Sequence, residues 1–260
     1  MSRWGHRPVR VGGWLVAGCL LAVVLIWAPV ELGFRVPVAS PVPDGPHVWA
    51  HRGSHGSALE NTLEAFRTAF GEGATGIELD LHYEPLEPGF VVAHDYVPGA
   101  PRHGRLMLDD VVSALGPAGY YWLDLKNLSA GNRDAAAARL AETLDAHGAL
   151  NLAFVETSGL GAARALTAVG LRTIYSVVNP YRVTSLRARW LTWAYYTLVV
   201  ATTDVEGLSV EVTQLDDEFQ RRFGHLPFFV YTVNDDAQMA RTLGLENVNV
   251  VLSDRPYWRE

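Results

Sequence analysis

Residues 48–95 hold four segments, VWAHRGSHG (48–56), ENTLEAF (60–66), GIELDLH (76–82) and FVVAHD (90–95), whose reading decides the fold. Three of them are short apolar runs that deliver titratable side chains. His51 and Arg52 close the first, Glu78 and Asp80 lie in the second, and His94 and Asp95 close the third. In α/β folds the C-terminal ends of strands are where loops converge on a crevice or a barrel mouth, so chemistry collects there. Carboxylates at i and i+2 of a strand share one face, and Glu78 and Asp80 can therefore grip one cation. Two imidazoles add proton transfer, and a guanidinium adds an anion clamp. The pattern points to metal-assisted attack on a phosphate ester.

The string AHRG, ENT, AF, IELDL and VVAHD, continued by LDLK (123–126), YTVN (231–234) and LSDRP (252–256), resembles the glycerophosphodiester phosphodiesterase family over essentially everything after residue 46. That resemblance implies a TIM (β/α)8-type barrel of the phospholipase C-like phosphodiesterase superfamily. It also implies metal-dependent hydrolysis of glycerophosphodiesters to glycerol phosphate and an alcohol, with His51 and His94 as the catalytic pair. Asp124 is then the third metal ligand beside Glu78 and Asp80, at a position where the family commonly has Glu. An all-oxygen set suits one divalent cation, Mg²⁺ or Ca²⁺ with Mn²⁺ also accommodated, better than zinc. Arg52 and Lys126 are expected on the non-bridging phosphate oxygens, where negative charge develops. Glu60 should orient Arg52, and Tyr231 keeps an aromatic wall where the family usually has Trp. Between Asp80 and His94 the family's usual Thr-x-Asp-Gly hairpin is replaced by LHYEPLEPG, which should remodel the edge of the site. Two other readings stand beside this one: a phospholipase D-like hydrolase of lysophospholipids or sphingolipids, and a catalytically silent metal-binding module.

A chain of 260 residues is about the size of one such barrel, roughly 250 residues. A net charge of −7 argues against a nucleic-acid surface, which needs a basic stripe. Only Cys19 is present, so no intrachain disulfide and no thiolate zinc cluster is available. Arg3, Arg7 and Arg10 precede a charge-free run over 11–30, about the length that crosses a bilayer. The expected order is a cytoplasmic basic region (1–10), a transmembrane helix (11–30), a Pro-rich linker (31–46) and the barrel domain (47–260), extracytoplasmic by the positive-inside rule. A cleaved signal or a lipoprotein box at Cys19 would also put the domain outside the cytoplasm. The implied partners are a small glycerophosphodiester or lysolipid and the membrane; no protein partner follows.

Along the chain, 48–50, 75–81, 90–93 and 120–125 read as the first four strands, with Asn61 capping a helix before the second. Further strands are expected at 151–155, 173–178, 206–212, 228–233 and 248–252, one more than a barrel of eight needs. Asn132 should cap a helix through 146, and Asn234 one over 235–243. The stretch 190–200, WLTWAYYTLVV, is too short and polar for a second span and reads as a core helix. Its aromatic and arginine edge also suits a membrane interface.

Overall fold

Parallel strands need a crossover long enough for a helix, and the chain supplies one at nearly every step. The computed structural model describes residues 21, 24, 27–54, 56, 58–86, 89–96, 104–182 and 185–259. Its strands are β1 (His47–Ala50), β2 (Gly76–Glu84), β3 (Gly89–Val92), β4 (Tyr120–Leu125), β5 (Ala153–Thr157), β6 (Arg172–Val177), β7 (Gly207–Glu211), β8 (Phe228–Tyr231) and β9 (Val248–Ser253). Its helices are α1 (Leu63–Gly71), α2 (Leu108–Leu115), α3 (Arg133–Ala146), α4 (Leu160–Ala168), α5 (Leu186–Thr202), α6 (Asp217–Phe223) and α7 (Asp236–Leu243). Among the described residues β1 pairs in parallel with both β9 and β2, which closes a barrel of eight parallel strands.

Side chains alternate between its two faces, as strand geometry requires. Outward, Ile77, Leu79 and Leu81 of β2 and Tyr121, Leu123 and Leu125 of β4 pack with Phe66 of α1 and Leu140 of α3. Inward, Trp49, Trp122, Phe154, Ile174, Phe229, Val250 and Leu252 fill the barrel. Trp49 stacks on Tyr120 with ring centroids 5.4 Å apart. It fits because β2 opens with Gly76, where a Cβ would lie 2.4 Å from the indole.

The run 90–93 is not the third barrel strand. As β3 it pairs antiparallel with the outer half of β2, outside the ring, and 248–252 completes the eight as β9. The chain between β2 and β3 is too short for a parallel crossover of a dozen residues. Asn61 does not cap α1 either: Thr62 does, accepting from the Ala65 N–H, because the Asn61 amide is engaged with Asp80. Asp235 caps α7, and Asn234 turns to Asp254.

The stretch expected as a free linker is docked. Phe34 and Val42 are buried, the Val42 N–H donates to Asn249 Oδ1 at 3.1 Å, and Arg172 Nη2 donates to the Pro41 carbonyl at 2.7 Å. Residues 38–46 therefore cross the barrel floor and enter β1 from below. Most of the expected transmembrane run lies outside the described residues, of which 21, 24 and 27–34 are helical. Among the described residues no helix is long and apolar enough to cross a membrane.

Candidate active site

The inward face of β2 changes character along its length, from the small Gly76 at the floor to Glu78, Asp80 and His82 toward the mouth. β4 does the same, passing from Tyr120 and Trp122 to Asp124, which pairs in register with Asp80. One carboxylate oxygen from each of Glu78, Asp80 and Asp124 lies within 4.8 Å of the others. Grouped charge of this kind is costly in a buried site without a cation. Burial, and after it the charges of Asp80 and Asp124, push the Glu78 carboxyl well above the usual carboxylate range. Burial also raises Asp124, with Asp80 adding to it against the pull of Lys126. Asp80 goes the other way: burial opposes its charge, but Lys126, Asn61 and Arg52 outweigh it and hold the carboxyl below its ordinary value. Lys126 Nζ is 2.9 Å from Asp80 Oδ1 and also pairs with Asp124, while Arg52 Nε is 3.0 Å from Asp80 Oδ2.

The turn after β1 explains the His-Arg-Gly string. Arg52 and Gly53 both adopt positive φ, at 55° and 82°. A Cβ on Gly53 would sit 2.8 Å from the Ala65 carbonyl carbon, so only glycine lets α1 approach this turn. The turn aims the Arg52 N–H at Glu78 Oε2, 3.0 Å away, and sends the guanidinium back to Glu60 Oε1 at 2.9 Å. Glu60 thus holds Arg52, as the sequence suggests.

His51 follows β1, on the other side of β2 from Lys126. Its Nδ1 is 2.7 Å from Asp254 Oδ1, and its Nε2 faces Glu78 Oε2 at 3.9 Å. Donation from Nδ1 to the carboxylate fixes the tautomer and leaves Nε2 as the atom turned to the carboxylate cluster. Asp254 is itself held by Asn234 Nδ2 at 2.6 Å, and its N–H donates to Asn234 Oδ1 at 2.9 Å.

A cavity of about 330 Å³ opens over this floor, lined among others by His51, Glu78, Asp124, Lys126, Glu156 and Tyr231. Tyr231 packs edge-on to Trp122 with centroids 6.2 Å apart, and burial, then the charge of Glu156, pushes its phenol up to about 12. His94 is not brought into this cavity. It follows β3 and is half exposed, and the ring contact found for it among the described residues is Nδ1 to Asp95 Oδ1 at 3.0 Å. Its carbonyl lies 3.2 Å from His82 Nε2. His55 and His103 lie outside the described residues.

Two side chains of the site escape the sequence reading. Asp254 sits inside LSDRP but carries no visible role until the fold brings it to His51. Glu156 of β5 is buried opposite Asp124 and accepts from Trp122 Nε1 at 2.7 Å. Burial first, and Asp124 second, raise its carboxyl to about 7 against hydrogen bonds from Ser176, Ser209 and Trp122. An acid inside the apolar strand AFVET is the signal that could have found it, as acids inside an apolar strand mark Glu78 and Asp80 in β2.

Residues 51–83 match the sequence profile of the glycerophosphoryl diester phosphodiesterase family, a span that includes His51, Arg52, Glu60, Glu78 and Asp80. No curated protein matches the chain. Among solved structures it is similar to a phosphodiesterase of Oleispira antarctica in complex with the product sn-glycerol-3-phosphate. The identity there is 20%, the match covers 81% of this chain and 94% of that one, and the TM-score is 0.60. A glycerophosphodiester phosphodiesterase of Thermotoga maritima gives 20% identity, 83% and 97% coverage and a TM-score of 0.63. One from Parabacteroides distasonis gives 15%, 81% and 93%, and 0.64. The family resemblance read from the sequence is upheld, and these structures share the barrel.

Proposed function

We propose that the chain is a metal-dependent phosphodiesterase that hydrolyses glycerophosphodiesters to glycerol phosphate and an alcohol. The observation that carries this reading is the convergence of Glu78, Asp80 and Asp124 within 4.8 Å at a barrel mouth. The donor set fits a divalent cation: all oxygen, with Glu78 and Asp80 buried and Asp124 partly so, and with more negative charge than its neighbours neutralise at Glu78. Glu78, Asp80 and Asp124 would hold Mg²⁺, Ca²⁺ or Mn²⁺, which when bound polarises a phosphoryl oxygen and eases the build-up of charge on it. Arg52 and Lys126 supply fixed positive charge at the same face for the remaining phosphate oxygens. His51 Nε2, its ring held by Asp254, moves one proton. By the family resemblance His94 would move the other, reaching in from the edge of the site after β3. Tyr231 walls the alcohol or glycerol portion of the substrate.

We further infer that residues 11–30 anchor the chain in a membrane with the barrel on the extracytoplasmic side, supported by the charge-free run and the arginines before it. A C-terminal reporter that matures only outside the cytoplasm should be active; a silent one would count against this.

The activity is tested on the full-length chain in detergent, stripped with chelator. Glycerol phosphate should be released from glycerophosphodiesters only when Mg²⁺, Mn²⁺ or Ca²⁺ is restored. Turnover confined to lysolipids would favour the phospholipase D-like reading. Absence of turnover with all three ions on soluble and lysolipid substrates would leave the silent metal-binding module.

A further inference from the structure

α5 leaves the mouth end of β6 and returns to the floor ahead of β7, so its first turns lie level with the candidate site. Those turns are apolar on the outside. Leu186, Trp190 and Leu191 are 77%, 65% and 50% exposed, and Val178 on the same connection is 52% exposed. Exposed Arg182 and Arg187 sit among them. Water-soluble surfaces rarely leave such a group of large apolar side chains together, and a Trp, Leu and Arg mixture is the composition of a lipid interface.

A second observation says what covers it. The helical residues 27–34 run antiparallel along α5. Gly33 lies against Ala201 near the floor, whereas Glu31 and Trp27 share a cleft with Thr197, Trp193 and Trp190. Arg222 fixes this segment: it donates to both carboxylate oxygens of Glu31, at 2.8 and 3.0 Å, and stacks over Phe34 and Trp193. The antiparallel run thereby carries Trp27 to Trp190, in the first turns of α5. Leu21 and Val24, also helical and exposed, precede Trp27 in the chain. In the sequence, the residues preceding them continue without charge back to Val11.

We propose that this mouth-end rim, Val178, Leu186, Trp190 and Leu191 with Leu21 and Val24, seats on a lipid bilayer, so that the barrel mouth faces the headgroups. Single-chain phosphodiester lipids then reach the site directly from the membrane surface. Arg182 and Arg187 meet anionic headgroups. The substrate half of this inference rests on the proposed phosphodiesterase activity; the orientation half does not.

The test uses the full chain in phosphatidylcholine and phosphatidylglycerol vesicles. In a Cys19→Ser background, Leu191→Cys and, at the floor end of α3, Asp145→Cys are each labelled with bimane. Nitroxide lipids should quench the label at 191 several-fold more than that at 145. Equal quenching at the two positions overturns the proposal. So does self-association abolished by Trp190→Glu without lipid quenching, which would assign the rim to a second copy of the chain. With activity in hand, the Leu186→Glu, Trp190→Glu double variant should lose about tenfold on vesicle-borne lysophospholipid, the scale of one large apolar side chain no longer buried, and keep its rate on a soluble glycerophosphodiester. An equal fall on both substrates, or none on either, overturns the substrate half. If the parent hydrolyses neither, the phosphodiesterase reading fails while the quenching result still decides the orientation.

Discussion

Asp254 is bonded to His51 and is not one of the three carboxylates that converge on the cation site, so changing it tests proton transfer apart from metal binding. The bond at stake is His51 Nδ1 to Asp254 Oδ1, 2.7 Å. A hydrogen bond to a charged group is worth about 1.5–3 kcal/mol and a neutral one about 0.5–1.5 kcal/mol. Asp254→Asn keeps an acceptor at the same reach and loses the charge, a difference of about 1.4 kcal/mol, or tenfold in rate. Asp254→Ala also frees the ring to rotate, and the loss should reach about 10²-fold. The assay is coupled detection of glycerol phosphate at saturating divalent cation, with calorimetric titration of the same cation into each variant. The expected pattern is a fall in kcat graded from Asn to Ala, with KM and cation affinity close to the parent. An Asp254→Ala enzyme within about threefold of the parent kcat would refute the idea that this carboxylate holds a working imidazole. A loss of cation affinity in either variant would mean that His51 or Asp254 belongs to the metal site instead.

Glu78→Gln removes a carboxylate whose charge is strained by burial and by Asp80 and Asp124. The metal-free variant should therefore melt higher than the parent near neutral pH, while its cation affinity falls by about tenfold or more; a lower melting temperature would contradict the electrostatic account. Glu156, raised from 4.5 to about 7 by burial and then by Asp124, holds its proton more tightly folded than unfolded. Its contribution to stability is fully present below 4.5 and is lost as pH climbs toward about 7, by about 3 kcal/mol. Chemical denaturation of the chelated protein across that window should show the decline, and Glu156→Gln should flatten it; parallel profiles would exclude the effect.

The parts of the site legible in the sequence are those where an acidic side chain interrupts an apolar strand. Glu78, Asp80 and Asp124 do this, and the Arg52-Gly53 turn announces itself by a glycine that only positive φ and a close helix explain. Barrel membership was harder, because β3 is as apolar as its neighbours, and the deciding quantity is loop length: β2 and β3 are joined too closely for any parallel crossover. His94 shows the consequence. An antiparallel strand carries it back past β2 and leaves it half exposed at the edge of the site, not at the tip of a barrel strand. The role of Asp254 is hidden in the sequence, and that of Asn61 is misread as a cap, for another reason. Their roles depend on partners far away in sequence, His51 and Asp80, and a local capping pattern around Asn61 competes with the long-range bond that wins.

The same non-local logic turns the Pro-rich stretch from a tether into part of the barrel. Prolines without periodicity indicate the absence of helix and strand, and nothing in that composition shows that Arg172, Asn249 and His225 wait on the floor with donors for the backbone of Phe34, Pro41 and Val42. Those bonds change what an anchor would do. A flexible tether of a dozen residues would let the mouth sample every direction, so that proximity to a membrane raised only the effective concentration of substrate. The segment that would follow such an anchor is instead clamped along α5 by Arg222 and Glu31. With the proposed anchor in place, orientation of the mouth would follow from packing on the barrel's flank, and access to lipid-borne diesters would be a property of the fold.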